Sequence, residues 1–245
     1  MTKDQHNLSP RNTNSRKCRD TATVFKLETI EADFKVVLDT IDKNLLEAQE
    51  FEKNGKLSFA CDLYRYQIAF LCSGFDYFIH CLYKNKAEKM FDGSAPRTDL
   101  FLNTGINMSD VLDAIDNRSI NNPTWLINFI NERIATETFL DVAKFKKGLN
   151  FMSKELFCEL ASNVFSGDRS SQIDKLTTKL DNLFKRRHAI VHQNDRLHSS
   201  GQQQAIDLNY VIDQKDFIEK VASTLIKLVS WFTSHRERKC KDIKT

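Results

Sequence analysis

Glycine and proline are scarce in this chain, with seven and three among 245 residues. So few breakers, in long stretches rich in Leu, Lys, Glu, Asp and Phe, argue against a turn-rich sheet protein and predict an all-α fold. Nowhere do eighteen apolar residues run together, which argues against a membrane-spanning helix, and the first twenty residues lack the apolar core of a signal peptide. A soluble, cytoplasmic protein with no membrane partner is therefore expected. The six cysteines (Cys18, Cys61, Cys72, Cys81, Cys158 and Cys240) include no Cys-x-x-Cys spacing, so neither a disulfide framework nor a zinc ribbon is indicated. Cys61 and Cys72 fall in an apolar helical stretch, where a thiol packs as a small hydrophobe. No repeat of solenoid period is present.

What is there is a hydrophobic content of 41%, ordinary for one domain with a full core. The net charge is +3, but it is unevenly placed. Residues 1–20 and 235–245 each carry five Lys/Arg against two acids, which leaves residues 21–234 at −3. The body is thus no general polyanion binder, and nucleic-acid contact must come from local patches or the basic ends. The two ends read first as solvated tails: a disordered basic leader at 1–20 and a basic C-terminal tail at 235–245.

Between them the sequence reads as one helical domain, residues 21–234. Leu27, Ile30, Phe34, Leu38, Ile41, Leu45 and Ala48 recur at three and four residues, and Asn54-Gly55 supplies a stop. Residues 57–90 form a more apolar helix with few solvent positions, which should be central. Residues 97–170 are less regular, with short helical patterns around 109–115, 123–134, 138–147 and 153–164. They read as a helical insertion docked by Trp125, Phe129, Phe139 and Phe145. A helix over 171–193 carries Ile173, Leu176, Leu180, Leu183/Phe184 and Ile190 on one stripe. A Gly/Gln/Ser-rich loop at 194–209 precedes a last helix over 212–234.

The helix at 171–193 ends in Lys185-Arg186-Arg187-His188-Ala189-Ile190-Val191-His192-Gln193-Asn194. Continuing its apolar stripe by four from Leu183 lands on Arg187, so a permanent cation falls on the buried or interfacial face. An unpaired guanidinium there is costly, so Arg187 should meet a carboxylate or face an interface where an anion binds. Asp76, which interrupts the apolar run Phe75-Asp76-Tyr77-Phe78-Ile79, is the obvious acid, with His80 one turn later. Histidine titrates near neutrality and carries protons, and an arginine beside it suits phosphodiester chemistry. On an ideal helix Arg187 and His192 lie about 140° apart and about 7.5 Å along the axis. A second copy of the helix across a two-fold axis could bring both onto one phosphate. His188 and His192 have the spacing of a helical zinc pair, with His198 as a conceivable third ligand, but Ala189 stands where the zinc-protease pattern needs glutamate. A metal-free pair is the favoured reading, with no cofactor.

Arg187-His188-Ala189-Ile190-Val191-His192 resembles the Arg-x4-6-His signature of the HEPN superfamily of helical ribonucleases. Phe75-Asp76-Tyr77-Phe78-Ile79-His80-Cys81-Leu82 is similar to the acidic-aromatic-His stretch on the central helix of the bacterial RiboL-PSP-HEPN group. Val191-His192-Gln193-Asn194-Asp195-Arg196 continues as in that group, and Asp216-Phe217-Ile218-Glu219-Lys220-Val221 fits its terminal helix. The resemblance covers residues 57–90 and 171–232. His188 departs from it, since many members have Asn there.

The resemblance implies a HEPN-like helical bundle with an extra N-terminal helix and a helical insertion at 97–170. It implies metal-independent RNA cleavage at a composite site in a homodimer, often in toxin or antiphage defence. A toxin needs restraint and the sequence shows no recognisable inhibitory domain, so control by a separate inhibitory partner protein, or by the 97–170 segment covering the site, is expected. His192 would act as base or acid, Arg187 would stabilise charge at phosphorus, and Asp76 would orient one of them. His188, His80 and Asn194 would support the site, and Lys185 and Arg186 would hold flanking phosphates. Attack by the 2′-hydroxyl predicts 2′,3′-cyclic phosphate and 5′-hydroxyl ends. The competing readings are a non-catalytic HEPN module that binds RNA, nucleotide or a partner protein, and a helical adaptor. In the adaptor Arg187 pairs with Asp76 and His192 caps its helix.

Overall fold

The computed structural model describes residues 22–241, with side chains through Thr233, and every regular element among them is helical. The leader at 1–20 and the side chains of the tail lie outside the described residues. Two long antiparallel helices come first. Helix α1 (Leu27–Lys53) buries Leu27, Ile30, Phe34, Leu38, Ile41, Leu45 and Ala48, the stripe its spacing predicts. Helix α2 (Leu57–Phe91) is buried around most of its circumference and runs through the centre. The two approach so closely that a Cβ on Gly74 would stand 2.7 Å from Val37 Cγ1. The Phe34 ring packs against Phe75 and Phe78 across this contact.

Five shorter helices fill residues 97–170: α3 (Asp99–Leu102), α4 (Met108–Asp116), α5 (Thr124–Ile134), α6 (Val142–Met152) and α7 (Leu156–Val164). Phe139 and Phe145 are buried, and Trp125 and Phe129 pack half-buried against the core. Leu149, Phe157, Leu160 and Ala161 are fully buried in the same cluster as the long helices. The second half of the segment therefore helps build the core. Helix α6 begins at 142 because Asp141 accepts a hydrogen bond from the Lys144 N–H, leaving Thr138–Leu140 outside the helix.

Helix α8 (Arg169–Gln193) starts at Asp168, whose carboxylate accepts from the Ser171 N–H, and turns Leu176, Leu180, Leu183 and Phe184 inward. Helix α9 (Leu208–Lys241) begins four residues earlier than its sequence pattern and continues through residues read as tail. Lys215 on α9 reaches Asp42 on α1 at 2.6 Å. Between α8 and α9 the polar loop folds back on itself, with Arg196 bridging Gln203 in antiparallel fashion. No helix among the described residues is long and apolar enough to cross a membrane.

Candidate active site

Arg187 continues the inward stripe of α8 one turn beyond Leu183 and is half-buried. Its Nε is buried without a hydrogen-bond partner, and among the described residues no carboxylate pairs with its guanidinium. The group faces α2. Burial pushes the Cys72 thiol up to about 12, with the Arg187 charge opposing that rise and Asp76 adding to it. A cation that has given up part of its water without gaining an acid is an open anion position.

The two histidines lie on the outer side of the same turns. His188 and His192 are exposed, and their rings stand 4.6 Å apart between centroids, tilted by 46°. His198 is exposed in the following loop, and among the described residues no three His, Cys, Asp or Glu side chains converge as metal ligands. The end of α8 is closed by backbone. Asn194 and Asp195 both take left-handed conformations, and the Asp195 N–H donates to Ala189 O at 2.8 Å. His192 is therefore not needed as the cap that the adaptor reading assigned to it.

Asp76 does not meet Arg187. Its Oδ1 accepts the Phe139 N–H at 2.6 Å and its Oδ2 accepts the Thr138 hydroxyl at 3.2 Å. His80 is fixed beside it, with Nδ1 at 2.8 Å from Asp76 O and Nε2 at 3.1 Å from Ile134 O. Both residues serve the connection between α5 and α6, whose backbone polar groups need partners as the chain crosses α2. The expected cluster of Asp76, His80, Arg187 and His192 is thus divided. No hydrogen bond or ion pair among the described residues joins the two members on α2 to the two on α8.

Arg186 also departs from its expected role. Its Nη2 donates to Asp195 Oδ2 at 2.8 Å and to Ala205 O at 3.0 Å, its Nη1 donates to Gln204 Oε1 at 3.0 Å, and it lies over the Tyr210 ring. Its guanidinium is committed inside the chain and is not a free phosphate clamp. Lys185 is exposed and paired with Asp181 at 2.6 Å, an arrangement that an incoming phosphate can replace at little cost. Asn194 contributes its left-handed backbone, and its carbonyl accepts from Gln203 Nε2 at 3.2 Å.

The residue that holds this end together was missed in the sequence. Asp195 is completely buried, and Arg65 on α2 donates from Nε to the same Oδ2 at 2.9 Å. The signals were an arginine inside the apolar run of α2 and an Asn-Asp pair just beyond the last helical position. Comparison of the chain with protein-family models, with curated proteins and with solved structures gives no match.

Proposed function

We propose that this chain is a HEPN-type, metal-independent endoribonuclease whose chemistry rests on Arg187 and His192. The supporting observation is the unneutralised guanidinium of Arg187. Asp195, which follows the same helix, is spent on Arg65 and Arg186, and Asp76 on α2 is spent on the 138–139 backbone. A half-buried cation without a partner, next to exposed imidazoles, suits a phosphodiester.

In this reading Arg187 holds a phosphate oxygen and stabilises the charge that builds on the pentacoordinate phosphorus. His192 accepts the proton of the ribose 2′-hydroxyl as its oxygen attacks the adjacent phosphorus. The bond to the 5′-oxygen breaks, and that oxygen takes up a proton. His188, whose ring lies against His192, is able to return it. The products are a 2′,3′-cyclic phosphate and a 5′-hydroxyl, and DNA, lacking the nucleophile, is not cut. The angular separation of Arg187 and His192 on α8 favours a site completed by a second copy of the chain. Lys185 would hold a flanking phosphate. Action as a toxin or antiphage effector, under an inhibitory partner, belongs to the same proposal.

One observation favours a non-catalytic binding module: Asp76, the residue expected to orient the catalytic pair, is occupied by the 138–139 backbone. Incubation with total RNA in excess EDTA separates the two. Cleavage that survives EDTA, leaves cyclic phosphate and vanishes in both Arg187→Ala and His192→Ala supports the nuclease. RNA binding without cleavage supports the module, and cleavage persisting in both variants refutes the assignment of the site.

A further inference from the structure

A second concave site lies between α2, α3, α5 and α6, and no residue of α8 lines it. It is a cleft of about 150 Å³ with Tyr83, Phe139, Phe151 and Ile130 among its walls. Tyr83 and Phe151 are stacked at 3.9 Å and 10°, which gives the cleft a flat aromatic side. One wall is helix backbone: Gly148 is buried, and a Cβ there would stand 2.6 Å from Phe139 Cε1. The absence of a side chain at that position lets the Phe139 ring lie against α6.

The charge around this slot is one-sided. Lys144, Lys147 and Arg133 line it against a single acid, Glu137. All four are exposed. Among the described residues neither lysine ammonium has a carboxylate partner, and Arg133 makes only a 3.4 Å hydrogen bond to Gly105 O. The Tyr83 hydroxyl, half-buried in the lining, has no hydrogen-bond partner among the described residues. The slot is also built in advance. His80 at Ile134 O and Asp76 at the Phe139 N–H fix the wall that carries Ile134, Glu137 and Phe139. The residues that left the Arg187 site incomplete are thus the ones that shape this cleft.

We infer that the cleft binds a small organic phosphate carrying one aromatic ring, of which a pyrimidine nucleoside monophosphate is the natural representative. A closed apolar cavity near 150 Å³ accepts a benzene ring, so the cleft holds one six-membered ring and the second ring of a purine would extend past its mouth. The ring stacks beside Tyr83 and Phe151, and the phosphate reaches Lys144, Lys147 and Arg133 at the mouth. The Tyr83 hydroxyl and the Glu137 carboxylate supply a donor and an acceptor for the ring's polar edge.

The test is calorimetric titration of the full chain with cytidine 5′-monophosphate. Cytidine serves as the ring-only control, ribose 5-phosphate as the anion-only control, and adenosine 5′-monophosphate as the larger ring. Saturable one-to-one binding with Kd below about 1 mM is expected, weakened at least about tenfold in each control. The double variant Lys144→Glu/Lys147→Glu changes two exposed side chains and should weaken binding by at least about tenfold. Tyr83→Phe should weaken it by a smaller factor. No heat up to about 5 mM overturns the proposal. So does equal binding of ribose 5-phosphate, which would mark an adventitious ion only, and so does unchanged affinity in the double lysine variant. Loss of binding in Arg187→Ala would move the ligand to α8 and overturn it too. Because the readout is binding, it stands or falls apart from RNA cleavage.

Discussion

Asp195→Asn tests whether one buried carboxylate holds the end of α8 to the rest of the fold. Asparagine keeps the shape and tolerates the left-handed backbone, at φ 56°, but removes the charge. Two guanidiniums are left facing each other, those of Arg65 and Arg186, with side chains only 9% and 14% exposed. Asp62 remains within 3.2 Å of Arg65, but it is 60% exposed and offsets little. Removing one partner of a buried pair costs about 3–5 kcal/mol, against about 5–15 kcal/mol for a whole domain. At roughly 2–4 °C per kcal/mol for a chain of this size, Tm should fall by about 6–20 °C. Urea unfolding of Asp195→Asn, Arg186→Gln and the double variant then measures the coupling. The double variant should lose less than the sum of the two, by about 1–3 kcal/mol. An asparagine variant within about 0.5 kcal/mol of the parent would refute the reasoning, because the charge would then contribute nothing that a neutral amide does not.

Lys86 on α2 is 2% exposed, among the described residues its Nζ donates only to the Thr233 hydroxyl at 3.4 Å, and burial lowers its pKa from 10.5 to about 8. The folded chain therefore binds fewer protons than the unfolded one between about pH 8 and pH 10.5, and stability from this group rises with pH through that window. Below it the full penalty applies, about 3 kcal/mol at about 1.36 kcal/mol per pH unit, so Lys86→Met should raise Tm at pH 7 and lose that advantage by pH 10. A Tm difference independent of pH would count against it. Gly74→Ala drives a methyl to 2.7 Å from Val37 and should cost about 1–3 kcal/mol in urea unfolding. Adding Val37→Ala should recover most of that loss.

The long helices were legible because each carries a repeating apolar stripe, and Arg187 was placed correctly on the inward face by extending one such stripe. Short elements were less so. Helix α3 is four residues capped by Thr98 at the Phe101 N–H, too short for a period to show. The start of α6 was read four residues early because Phe139 and Leu140 look like helix positions, whereas Asp76, over sixty residues away, holds the Phe139 N–H outside it. The segment 194–209 reads only as a Gly/Gln/Ser-rich loop because its order comes from Arg65, 130 positions away in sequence from Asp195. Contacts of that range leave no local periodicity.

Neighbouring arginines show why the site itself was only half legible. Arg186 and Arg187 differ by about 100° of helix rotation. That rotation turns the first toward the 195–205 loop, where Asp195 neutralises it and Gln204 and Ala205 bind its terminal nitrogens although its Nε, like that of Arg187, is buried without a partner, and the second toward α2. There Asp76, the acid expected to meet it, is claimed by a backbone N–H. Composition treats the two as equivalent cations, and the helical stripe separates them only into an inward Arg187 and an Arg186 free for RNA. The difference lies in which acids the fold has spent, and spent acids are visible only once tertiary contacts are known. By that criterion Arg187 is the one motif arginine whose charge is left for a ligand to complete. The site therefore depends more on the commitments of Asp76 and Asp195 than on the Arg-to-His spacing.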